Sequence, residues 1–110
     1  MNDSKKNENI VFIESALIDL VPILLDTLVK ELAEMEKTFE DGDFVKLQEQ
    51  AHSSRGAALT YGFDAYAEVL LDLQHAAKSE ASEITKYLFG LLHGLLESVE
   101  FKVNSSNGKA

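Results

Sequence analysis

The group in this sequence best equipped for chemistry is the imidazole of His52, set in the run Ala51-His52-Ser53-Ser54-Arg55-Gly56-Ala57-Ala58. Near neutral pH an imidazole is largely uncharged and keeps a lone pair on one ring nitrogen, so it can act as a nucleophile. Residues three and four apart share a helix face, which puts Arg55 and Gly56 one turn after His52 and Gln48 and Glu49 one turn before it. Arg55 supplies a permanent cation with a planar fork of donors. Gly56 is the odd member of the group. A glycine inside a helix costs roughly 1 kcal/mol relative to alanine, and Ala57 and Ala58 show that small residues of better propensity suit this stretch. The compensating gain is a cleared surface beside the ring, open to a second protein's active site.

The elements that must hold this group are legible as apolar periods. Val21, Leu24, Leu25, Leu28, Leu32, Met35 and Phe39 recur at three- and four-residue steps and predict a long amphipathic helix over Leu20 to Phe39. Pro22 is tolerated only in a first turn, so the apolar stretch Ile10 to Leu17 reads as a separate short helix or turn. Asp41-Gly42-Asp43 then supplies a terminator and an N-cap, and Phe44, Leu47, Ala51 and Ala58 mark the helix that carries His52. Relative to that stripe His52 is turned by about 100° from Ala51, to the edge of the core and open to solvent. Gly62 closes the helix and Asp64 can cap the next, whose inward residues are Tyr66, Val69, Leu70, Leu73 and Ala77. So short a link makes the two helices antiparallel neighbours, with His52 and Gln74 side by side. After a loop from Ser79 to Ser82, the residues Ile84, Leu88, Leu91, Leu92, Leu95 and Val99 mark a last helix. The prediction is an all-α fold, an antiparallel up-down four-helix bundle with a short extra N-terminal helix, spanning residues 10–103 between flexible tails at 1–9 and 104–110.

Composition narrows the functions open to such a bundle. The 110 residues fit one domain, and a single proline and six glycines in a chain that is 45% hydrophobic suit a compact helical protein. There is no cysteine, which removes thiolate ligands, thiol nucleophiles and disulfides and fits a cytoplasmic setting. Nineteen acidic residues against ten basic ones give a formal charge of −9, which repels nucleic acid and anionic membrane surfaces alike. No apolar run is long enough to cross a bilayer. No P-loop or other glycine-rich nucleotide motif is present, so no kinase activity of its own is expected.

Ala51 to Gly62 resembles the motif of the histidine-containing phosphotransfer (HPt) family, His-x-x-Lys-Gly-small-small with a later Leu-Gly or similar pair, and the preceding Asp41-Gly42-Asp43-Phe44 is similar to that family's approach to it. The similarity in helical layout covers roughly residues 10 to 100. The resemblance implies a phosphorelay intermediate of two-component signal transduction, a phosphoprotein bearing phosphohistidine at His52. The donor or acceptor would be the aspartate of a response-regulator receiver domain, itself alone or within a hybrid histidine kinase. The receiver would bring the Mg²⁺, so this chain would bind no cofactor and no metal. Arg55 stands where the family usually has lysine, and Ser54 where it usually has an aliphatic residue, whose hydroxyl here needs a partner such as a backbone carbonyl one turn back. The family often has a glutamine on the following helix that bonds the histidine ring, a role that falls to Gln74. Lys78, one turn beyond Gln74, is a second candidate cation, and Gln48, Gly56 and Leu59 are the candidate docking residues. The expected state is a monomer.

Two other functions fit parts of the sequence. A bundle that binds a receiver or dimerises without transferring phosphate would accommodate arginine in place of lysine. A di-metal carboxylate bundle would use the Glu49-x-x-His52 and Asp72-x-x-His75 pairs, provided both point inward. His75 and His93 have no setting comparable to that of His52, and Gly90 and Gly94, four apart, suggest the close approach of another helix.

Overall fold

The computed structural model describes residues 9–104. Four helices follow one another as α1 (Val21–Glu40), α2 (Phe44–Tyr61), α3 (Asp64–Lys78) and α4 (Ser82–Ser98). Their joints follow from local chemistry. Pro22 sits in the first turn of α1, where no intrahelical donor is lost. The Asp43 carboxylate caps α2 by accepting from the Lys46 amide at 3.0 Å. Gly42 and Gly62 take positive φ at the two tight turns, 76° and 86°. Asp64 is not the cap of α3; Phe63 holds that place, and Asp64 lies in the first turn, where its charge favours the helix dipole instead.

The up-down bundle forms as the short links dictate, with α3 packed most extensively on α2 and then on α4, and with α1 against α2. Its centre is Leu28, Leu32, Leu47, Ala51, Ala58, Tyr66, Leu70, Leu73 and Leu92, all at or near zero exposure. Helix α4 is rotated from the predicted stripe. It buries Thr85, Leu88, Phe89 and Leu92, while Ile84 and Leu91 face outward. Phe89 is drawn in by Phe39 of α1, ring centroids 5.7 Å apart.

The N-terminal stretch departs further from expectation. Ile10–Glu14 is a strand, β1, paired in parallel with a second strand, β2 (Glu100–Asn104), in a register that sets Phe12 beside Lys102. Val11 and Ile13 point into the bundle and Phe12 and Glu14 away from it, the two-residue alternation of a half-buried strand. Only the following Ser15–Leu20 forms the short extra helix, a 3₁₀ helix without a buried residue. Asn9 and Asn104, assigned above to the tails, both join this ribbon: Asn104 pairs with Glu14, and the Asn9 side chain donates to the Leu95 carbonyl at 2.9 Å and the Ser98 hydroxyl at 3.0 Å. That bond satisfies one of the carbonyls left free at the end of α4. The rest of both predicted tails lies outside the described residues.

Candidate functional site

His52 lies midway along α2 with its side chain exposed, the edge position its rotation from Ala51 predicts. It lines a shallow depression of about 380 Å³ together with Gln48, Glu49 and Gln74. Gln74 reaches this site from α3, as the antiparallel α2–α3 pairing requires. Its Oε1 is buried and has no hydrogen-bond partner among the described residues, so an acceptor stands unused beside the imidazole. No hydrogen bond joins Gln74 to His52 in this state.

The cations are arranged differently from the sequence expectation. Arg55 is half-buried and lines the next depression along the α2–α3 groove, with Leu59, Asp64, Ala67, Glu68 and Leu71. Among the described residues it forms no ion pair within 4 Å with Glu49 or Glu68. Among the described residues its guanidinium is therefore not spent on a neighbouring carboxylate. Lys78 is exposed and lines neither depression.

Gly56 is a residue of poor helix propensity within α2, and it stands in the open. A Cβ built at this position meets no atom within 4 Å, and the residue faces solvent. No atom among the described residues fills the space. Two turns to either side of His52, and within about 20° of its direction at 3.6 residues per turn, stand Val45 and Leu59, which are 66% and 46% exposed. Leu59 was among the predicted docking residues; Val45 was not, although its seven-residue spacing from His52 carries the signal.

Ser54, on the side of α2 turned about 160° away from His52, is buried and donates to Glu31 Oε1 of α1 at 2.7 Å. The predicted bond to a carbonyl one turn back does not form. A charged acceptor from the neighbouring helix makes a stronger bond than a carbonyl and ties α1 to α2 behind the histidine.

The di-metal arrangement is overturned by these positions. Glu49, His52, Asp72 and His75 are all exposed, and the second pair lines a separate depression between α3 and α4. Among the described residues no cluster of three or more histidine, aspartate or glutamate side chains is placed to hold a metal ion. His93 is tied to Glu36 of α1 at 2.9 Å, remote in sequence from this face.

An accessible imidazole on the second helix of a four-helix bundle, flanked by a cleared glycine and apolar shoulders, agrees with the comparison to known families. Residues 19–101 match the Hpt domain model. The chain belongs to the Hpt domain family. Hpt domains are phosphotransfer modules of two-component phosphorelays, phosphoryl carriers rather than kinases, and they interact with receiver domains and histidine kinases. No curated protein and no solved structure matches the chain. No helix of the described residues is long and apolar enough to cross a membrane.

Proposed function

We propose that His52 is the phosphoacceptor of this Hpt domain and exchanges its phosphoryl group with the aspartate of a receiver domain. The observation that carries this reading is the exposed imidazole beside a glycine whose missing side chain leaves open space. In the transfer, a ring nitrogen of His52 attacks phosphorus in line, an N–P bond forms as the P–O bond to the aspartyl carboxylate breaks, and that carboxylate leaves with the electron pair. The receiver supplies Mg²⁺ to neutralise the equatorial oxygens, so this chain need contribute only a positioned nucleophile and nearby positive charge. Gln74 Oε1, without a partner among the described residues, accepts a hydrogen bond from the protonated ring nitrogen and so holds the other nitrogen outward. Arg55, free of a carboxylate partner among the described residues, is the cation that swings toward the phosphoryl oxygens on docking. Lys78 stands farther out and contributes to the charge of the rim. Gln48, Gly56, Leu59 and Val45 form the docking surface, with the two aliphatic residues as apolar shoulders.

The test is incubation with a receiver phosphorylated on its aspartate, comparing wild type with His52→Gln. Label on the wild type alone is the expected result. Equal label on both proteins, or none on either, overturns the assignment, and stable receiver binding without label on the wild type supports a docking module that does not transfer.

A further inference from the structure

Helix α4 presents a surface that the bundle does not use. Ile84, Tyr87 and Leu91 are 56%, 66% and 39% exposed, and they fall on one side of the helix with Gly94. The sequence suggests that Gly90 and Gly94 admit a close helix, yet both are exposed and a Cβ at either meets nothing within 4 Å. No helix among the described residues takes that place. In a chain of net charge −9 this stripe is free of charge at its centre, with Glu83, Lys86 and Glu97 along the flank nearest α1.

We infer that this face of α4 binds a second copy of the same chain, helix against helix and antiparallel. The occupant is argued from self-complementarity. A two-fold axis set between Gly90 and Leu91 pairs residues whose numbers mirror about that point. Each Tyr87 then lies over the second copy's Gly94, the two Leu91 side chains meet across the axis, and the two Gly90 let the backbones approach. A two-fold of this kind brings each flank against its own copy. At a rise of about 1.5 Å per residue, Lys86 falls about 3 Å along the axis from the second copy's Glu97, on the same side of the contact. Lys86 therefore meets the second copy's Glu97 at each end, and Glu83, which the same mirror sets about 1.5 Å along the axis from that Glu97, places a second carboxylate beside the lysine. Lys86 is joined in its own helix only to Glu83, at 3.6 Å on the surface, and can serve both carboxylates. One helix face buries less than the area of a tight dimer, so association is micromolar or weaker and depends on concentration. Helix α4 packs on α3 and α1 and the outward face of α2 lies across the bundle, which leaves His52 free in both copies.

Sedimentation equilibrium of the full chain across a wide concentration range tests this. A reversible monomer–dimer equilibrium is expected, with Tyr87→Glu weakening it about tenfold or more as a buried charge replaces an anchoring ring. Lys86→Glu, which gathers three carboxylates at each end, should weaken association about three- to tenfold, and adding Glu97→Lys in the same chain should restore it, a pattern that loss of folding cannot produce. Circular dichroism of each variant monitors the helices. A chain that stays monomeric throughout, a dimer indifferent to Tyr87→Glu, or a double charge swap that fails to recover association would each overturn the inference.

Discussion

At the scale of single residues, Gly56 separates stability from function most cleanly. Its backbone is helical and its Cβ position is open, so Gly56→Ala should raise stability by about 1 kcal/mol in urea denaturation. A larger side chain at the same place obstructs the approaching protein: Gly56→Glu should leave the helical content intact and slow transfer from a phosphorylated receiver, and unchanged transfer kinetics would remove the reason given for the glycine. Glu49 acts through charge. It shares the depression of His52, so the dianionic phosphoryl group proposed for the ring would face a carboxylate one turn away. Glu49→Gln should shift the phosphoryl equilibrium toward His52 by about two- to fivefold at low salt, with the difference shrinking as ionic strength rises. An unshifted distribution between His52 and the receiver would show that the carboxylate is screened out.

At the scale of elements, turns and caps carry the specification. Gly62 ends α2 at a φ of 86°, and a Cβ there would make only ordinary contact with Val11, 3.8 Å away. The cost of Gly62→Ala is therefore one of backbone conformation, about 1–2 kcal/mol by denaturant unfolding, opposite in sign to that at Gly56. Asp43→Ala removes the acceptor of the Lys46 amide and should cost about 1 kcal/mol. These elements were legible in the sequence because their determinants are local: an Asp-Gly-Asp turn, a terminal glycine, a period near 3.6. The strand pair was not, because Ile10–Glu14 acquires its meaning from Glu100–Asn104 at the other end of the chain. Helix α4 was legible as a helix but not in its rotation. Apolar side chains occupy most of its circumference, and the buried face is selected by contacts with other helices, the meeting of Phe89 with Phe39 among them. The site shows the same division. His52, Gly56 and Leu59 follow from positions along one helix, and Gln74 from a short turn, whereas the Ser54–Glu31 bond and the separation of Arg55 from the His52 depression depend on how α1 and α3 pack.

At the scale of the whole molecule, Tyr66 couples the core to pH. Its phenol is held well above the ordinary value, first by burial and then by the negative charges of Glu31 and Glu36. In the unfolded chain the phenol ionises near its ordinary value of 10.0. Above that pH the unfolded state binds fewer protons than the folded one, so the contribution of Tyr66 is complete below about pH 10 and is lost as pH rises beyond it. Alkaline unfolding followed by circular dichroism should begin in that range, and Tyr66→Phe should flatten its dependence on pH. The hydroxyl has no hydrogen-bond partner among the described residues, so the same substitution should be nearly neutral at pH 7. A variant with an unaltered alkaline profile would move the transition to other groups.

The ribbon that joins Ile10–Glu14 to Glu100–Asn104 also decides how the domain answers to mechanical load. Because the strands run the same way, tension applied at Asn9 and Asn104 drags them in opposite directions along their length. The inter-strand bonds then bear the force together in shear, where an antiparallel clasp would open one bond at a time. A phosphoryl carrier tethered at both sides would thus keep its helices in register while the proteins it serves pull apart.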